Sequence, residues 1–247
     1  LVGMDDSGKQ LKSILSKDEG ISCQLLAEVQ RKTIVKTRII AQGQQVVRLD
    51  RENITVPSDD TVESLKQAIS NSLDDMDGVI LQDYNKGVFT KGLIEWIMDQ
   101  TRERSIPVYV DPKKHHFSFY SGARLFKPNL SEFFTGIDDE TDLEKAGDSF
   151  RSQHGFDLLM VTQGEKGMSL FSKDKFYQIA TKARAAHDVS GAGDTVIATF
   201  ALSDVCGCQP NDSAWLANLA AGRVCEEVGV VPIDTNSLME IVNHHHD

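Results

Sequence analysis

Positive charge is scarce in this 247-residue chain: 26 Lys and Arg stand against 37 Asp and Glu, a net charge of −11 at pH 7. So acidic a chain repels polyanions, which argues against nucleic acid or an anionic membrane as partner. Cysteine is scarce as well. Cys23, Cys206, Cys208 and Cys225 form no Cys-x-x-Cys pair, so the expectation is a reduced, cytoplasmic chain without zinc knuckles or disulfides. No apolar run approaches the ~20 residues of a membrane span, and Leu1 to Gln10 is too polar for a secretory leader. There is no Gly-Lys-Ser/Thr phosphate loop and no His-Arg-Asp loop, which disfavours the phosphotransfer classes built on them. Nor does a first strand lead into Gly-x-Gly-x-x-Gly, as a dinucleotide dehydrogenase would require. Long linkers, low-complexity tracts and internal repeats are lacking, and the length fits one α/β domain spanning 1–247.

What is there is an alternation. Lys9 to Leu15 reads as a short helix. Thr33 to Asp50, rich in β-branched residues with Gly43 at the turn, reads as a hairpin carrying Arg38 and Arg48. Taken singly, those arginines read as solvent-facing strand charges. A helix follows from Val62 to Ser72, with Leu65 and Ile69 on one face. Short apolar runs then alternate with helical stretches: Gly78–Leu81, a helix over Lys91–Arg104, Val108–Val110, Leu125–Phe126, a helix over Asp142–His154, and Leu158–Val161. That order predicts βαβ units, a mostly parallel sheet and ligands beyond the strands' carboxyl ends. Asp83, Asp111, Asn129 and Thr162 fall at those ends. Met168–Phe171 and Phe176–Ile179 flank a polar turn and predict an antiparallel hairpin on the sheet's edge. The last long helix is expected from Asp212 to Val228, with Ala217, Ala220, Ala221, Val224 and Val228 on its apolar face and Gly229 as its stop.

The chemistry gathers at Asp188-Val189-Ser190-Gly191-Ala192-Gly193-Asp194-Thr195. Two glycines around an alanine let the backbone take positive φ and approach a ligand closely. The apolar stretch after them reads as a helix, so its first N–H groups and its dipole converge on the turn, as an anion site requires. A carboxylate there does not help to bind phosphate, but Asp194 can take the proton of an alcohol attacking one. Asn129 and Glu132, three apart at a helix start, can order water around Mg²⁺ or phosphate. Glu132 reads equally well as a first-turn carboxylate offsetting the helix dipole.

The Gly-Ala-Gly-Asp stretch resembles the C-terminal signature of ribokinase-like (PfkB-type) sugar kinases, and Pro128-Asn129-Leu130-Ser131-Glu132 resembles their Asn-x-x-Glu motif. More narrowly, Gln44–Asp50, Asp83–Val88, Val110–Lys113, Val161–Met168 and Ala217–Gly222 resemble, in order, the heptose 7-phosphate kinase domains of ADP-heptose synthesis. The resemblance implies a three-layer α/β/α fold with a small hairpin lid over 33–50. It also implies ATP-dependent phosphorylation of the anomeric hydroxyl of D-glycero-β-D-manno-heptose 7-phosphate, serving lipopolysaccharide assembly.

Roles are implied residue by residue. Asp194 would be the general base, with Gly191, Ala192 and Gly193 as the anion hole. Asn129 and Glu132 would organise Mg²⁺ and its waters. Thr162, Gly164 and Gly167 would line the nucleotide phosphates and ribose, with Asn218 near the adenine. Asp188 and Ser190 would hold a monovalent cation such as K⁺. Lys86 would lie near the phosphates with Asp83 beside it, and the charges of Arg38, Arg48 and Lys113 suit a substrate phosphate. The resemblance further implies a homodimer through the lid, and a family sugar-binding segment that precedes Leu1 and is not in this sequence.

Overall fold

The computed structural model describes residues 1–41, 44–52, 54–137, 142–181, 189–227 and 229–243. Two compact units emerge, Leu1–Asp75 with Asn85–Ile97, and Met76–Tyr84 with Met98–Asp247.

In the first unit, β1 (Val2–Gly3) runs into α1 (Asp6–Leu15) and pairs in parallel with β2 (Ala27–Glu28). The helix begins earlier than Lys9 because Asp5 caps it, accepting the Gly8 N–H at 3.0 Å. The same carboxylate accepts the Thr33 N–H and hydroxyl at 3.0 and 2.6 Å. The expected hairpin forms from β3 (Val35–Ala41) and β4 (Gln44–Arg51), paired antiparallel. Gly43, its expected turn residue, lies outside the described residues. Strand alternation sorts its side chains: Thr37, Ile39, Val47 and Leu49 share one face, while Lys36, Arg38, Arg48 and Asp50 share the other. Arg38 stands directly opposite Arg48, whose guanidinium takes both oxygens of Asp50. Ile39, Val47 and Leu49 on the apolar face are 40–57% exposed. Ser58 caps α2 (Asp59–Leu73).

The second unit is built on a six-stranded sheet. It comprises β5 (Val79–Gln82), then after α3 (Lys91–Glu103) β6 (Val108–Asp111) and β7 (Leu125–Phe126), then after α4 (Leu130–Gly136) and α5 (Leu143–His154) β8 (Leu158–Thr162), β9 (Met168–Phe171) and β10 (Phe176–Ile179). The order is β10-β9-β8-β7-β6-β5, with β5 to β8 parallel and the last two antiparallel, as the hairpin pattern predicts. The division between the units crosses α3 after Ile97. Three further helices follow: α6 (Ala192–Val205), α7 (Pro210–Cys225) and α8 (Thr235–Asn243).

Alternation along the strands splits the core in two. Tyr109, Leu125, Leu158, Met160 and Leu170 point to one face, where Val196, Ile197 and Phe200 of α6 and Ala214 and Ala217 of α7 close over them. Their neighbours Phe126 and Phe171 point to the other. There Phe126 stacks on Phe156 at 4.3 Å, Phe117 packs edge-on against it and Phe150 packs tilted. Two buried layers on a largely parallel sheet explain why its strands read as continuous apolar runs.

The end of α7 corrects the sequence reading. It stops at Cys225 with Glu226 as C-cap, so Gly229, although at φ +91°, is not its stop. Val228 lies outside the described residues. Among the described residues no helix is long and apolar enough to cross a membrane.

Candidate active site

The parallel strands deliver Asp83, Asp111, Asn129 and Thr162 to one edge of the sheet, in the order expected. Asn129 and Thr162 form a parallel bridge, and the Thr162 N–H donates to Pro128 O at 3.1 Å. Facing this edge, Gly191 is the N-cap of α6 at φ +86°, a conformation that favours glycine. It brings no side-chain cap, so the first-turn donors that a Ser or Asp cap would occupy stay available to an anion.

Asp194 lies in that first turn and is exposed. The Tyr84 hydroxyl donates to its Oδ1 at 2.9 Å. Burial, and then the hydrogen bond and charge of Asp194, hold the Tyr84 phenol well above the usual tyrosine range. Tyr84 is therefore a neutral donor at any physiological pH.

A buried cation lies beside the glycine turn. Lys127, only 3% exposed, reaches Asp111 Oδ2 at 3.0 Å, and Gln82 Nε2 donates to the same oxygen at 2.9 Å. A Cβ placed on Gly193 would stand 3.5 Å from the Lys127 ammonium. The lysine thus lies within van der Waals reach of the turn.

The residues expected around a nucleotide converge. Thr162, Gly164, Gly167 and Asn218 line one cavity of about 490 Å³, together with Ala192 and Gly193 of the turn. Gly167 is required by its surroundings: at φ +90°, an added Cβ would meet Ile179 O at 1.9 Å. Asn218 is buried on α7 and donates to Ala180 O at 2.9 Å, which fixes its amide in the wall. Val189, Val196 and Ala221 complete the apolar side.

Other expected residues have partners of their own. Asn129 and Glu132 form a reciprocal capping box: Asn129 Oδ1 accepts the Glu132 N–H at 2.9 Å and Glu132 Oε2 accepts the Asn129 N–H at 3.0 Å. Glu132 Oε1 pairs with Lys113. Asp83 is 2% exposed, and its Oδ2 meets His116 Nδ1 at 2.6 Å and the Tyr120 hydroxyl at 2.9 Å. The carboxylate expected beside Lys86 is thus engaged inside the second unit. Lys86 belongs to the first unit and pairs there with Glu52 at 2.5 Å. Arg38 and Arg48 are also in the first unit, on the hairpin. Ser190 stands in the turn before Gly191, while Asp188 lies outside the described residues. Among the described residues no three His, Cys, Asp or Glu side chains group as metal ligands.

Sequence reasoning gave no role to Tyr84 or Lys127. Tyr84 sits 110 residues from Asp194, and no local pattern announces that contact. Lys127 did carry a signal, as a lone charge directly after the apolar pair Leu125-Phe126.

The description of the pfkB family carbohydrate kinases matches residues 1–236, the glycine turn and the cavity wall included. The chain belongs to this family. Among curated relatives, the Bifunctional protein HldE of Syntrophotalea carbinolica is 38% identical over 224 residues, 88% of this chain and 46% of that protein. The protein of the same name from Coxiella burnetii is 35% identical over 254 residues, 100% of this chain and 52% of that protein. The chain spans about half the length of the curated relatives it matches. In fold it is similar to phosphofructokinase-2 from Escherichia coli in complex with potassium, with a TM-score of 0.85 at 14% identity over 100% of this chain and 81% of that one. It is also similar to Arabidopsis thaliana ribokinase complexed with ribose and ATP, with a TM-score of 0.73 at 21% identity over 98% and 80%. The architecture is the ribokinase-like α/β fold, and the chain is a carbohydrate-kinase domain.

Proposed function

We propose that this chain transfers the γ-phosphoryl group of ATP to the anomeric hydroxyl of D-glycero-β-D-manno-heptose 7-phosphate, the kinase step of ADP-heptose synthesis for lipopolysaccharide, in the cytoplasm. The observation that carries the reading is Asp194 in the first turn of α6, beside a glycine cradle that opens on the 490 Å³ cavity. In the step, the bond between the γ-phosphorus and the ADP oxygen breaks as the sugar oxygen bonds that phosphorus. Asp194 takes the hydroxyl proton and ADP leaves. The turn's N–H groups meet the charge on the phosphoryl oxygens in flight. Mg²⁺ carried by the nucleotide neutralises phosphate charge. Asn129 and Glu132, tied into their capping box, would meet that ion through its water shell, and a monovalent cation would sit at Asp188 and Ser190.

The heptose assignment is supported by the ordered run of matching segments and by the HldE relatives at 34–38% identity. For the 7-phosphate the candidates are Arg38, Arg48 and Lys113, the last two exchanging Asp50 and Glu132 for the ligand. The 33–50 hairpin is proposed as lid and as homodimer contact, supported by its exposed Ile39, Val47 and Leu49 face. The test is ADP release with ATP, Mg²⁺ and a panel of acceptors. Heptose 7-phosphate is expected to exceed fructose 6-phosphate, ribose and nucleosides at least about tenfold, a gap of ~1.4 kcal/mol in transition-state binding. A preference for another acceptor would overturn the substrate assignment. ATP binding without turnover on any acceptor would leave only a nucleotide-binding module.

A further inference from the structure

We infer that Tyr84 is a positioning residue: its hydroxyl, held on Asp194 Oδ1, directs the acceptor's proton onto Oδ2. The inference rests on Asp194 being the base.

The geometry is direct, a 2.9 Å hydrogen bond from the end of β5 to the first turn of α6. A carboxylate offers lone pairs on both oxygens, and either can be protonated. With Tyr84 donating to Oδ1, a proton arriving there would share that oxygen with the phenol and turn it into a hydroxyl oxygen, a poorer acceptor. A proton arriving at Oδ2 leaves Oδ1 as the carbonyl oxygen of the acid, which still accepts from Tyr84. The hydrogen bond therefore keeps its strength through the transfer when Oδ2 is the base. It also turns the carboxylate plane, so the attacking hydroxyl meets one fixed oxygen.

Charges around the pair bear on any pH test. Asp194 faces Tyr84 from α6 and Asp111 faces it from the end of β6; Lys127, after β7, pairs with Asp111 at 3.0 Å. Burial and Asp194 together keep the phenol protonated, so Tyr84 serves as donor throughout the working range.

Two measurements test this. The first needs no turnover. Fluorotyrosine replaces the four tyrosines, which brings phenol ionisation into a range where the protein stays folded, and the Tyr84 ¹⁹F signal is assigned by its loss in Tyr84→Phe. Tyr84 is expected to ionise at lower pH in Asp194→Asn than in wild type. Identical midpoints would overturn the proposal. The second compares Tyr84→Phe with wild type in acceptor-dependent ADP release. The expected result is kcat lowered about tenfold with KM for ATP unchanged. An unchanged kcat, or a loss confined to KM for ATP, would overturn the positioning role. If wild type itself turns over no acceptor, the kinase reading has failed, and the fluorine titration alone decides whether Tyr84 governs Asp194.

Discussion

Asp5 stands where three backbone segments of the first unit meet. Its carboxylate serves Gly8 at the start of α1 and both groups of Thr33, and the Thr33 hydroxyl in turn accepts the Gly3 N–H at 2.9 Å. The Thr33 hydroxyl first, then the Gly8 N–H, hold the Asp5 carboxyl down to about 2. Its folded value lies below the ordinary value of about 3.9. The stability it contributes is therefore present above about pH 4 and is lost as pH falls toward 2. Asp5→Asn should remove that part of the acid dependence, seen as a flatter loss of hydrogen-exchange protection in α1 between pH 4 and 2. Lys127 is a different case. Removing one partner of a buried pair leaves the other charge stranded. Lys127→Met is expected to cost about 3–5 kcal/mol in urea unfolding, and Lys127→Met with Asp111→Asn distinctly less. An equal cost in both variants would mean that the ammonium's packing, not its charge, matters. Neither arrangement follows from local sequence, because each depends on what the fold brings alongside.

At the scale of elements, α6 shows what was legible and what was not. Its start was readable, since Gly191 and Gly193 announce a turn and the apolar run behind them a helix. Its surroundings were not. Nearly apolar all round, it carries no single stripe to say which face is inside, and only the structure separates Phe200, fully buried, from Leu202, 59% exposed. Phe200→Ala is expected to cost about 3–5 kcal/mol, and Leu202→Ala to stay within about 0.5 kcal/mol. Chemical denaturation checks both, and comparable costs would contradict the packing described. The hairpin β9–β10 was legible to the residue because a polar Ser172–Lys175 turn separates two apolar runs. The end of α7 was misread because Gly229 resembles a helix stop three residues beyond the actual C-cap, and α8 gave too short a pattern to be noticed. The β1–β2 pairing is two residues long, below what periodicity can register. Asn129 and Glu132 form a capping box, in line with the reading of Glu132 as a first-turn carboxylate. On the hairpin, strand alternation yields a consequence for assembly. If the Ile39, Val47 and Leu49 face joins two copies, Leu49→Asp should turn a dimer into a monomer in sedimentation velocity. A wild-type monomer at working concentration would remove the basis for that contact.

Over the whole molecule, the alternation of strands and helices was enough to predict the layered fold and the sheet edge that carries the candidate site. The single domain expected over 1–247 is described as two compact units. Within the second unit, the cradle, Asp194, its Tyr84 donor and the 490 Å³ cavity belong to one connected body, and the proposed function rests there. What matters most there is that Asp194 takes the acceptor's proton and does not merely offset the helix dipole from the first turn of α6. The most direct measurement is ADP release with ATP, Mg²⁺ and heptose 7-phosphate for wild type and Asp194→Asn, with ATP affinity measured by calorimetry on both. The account expects turnover to fall by about 10²–10⁴ while ATP affinity changes less than about threefold. Turnover retained in the variant within about tenfold would contradict it and return Asp194 to the role of a helix-terminus carboxylate.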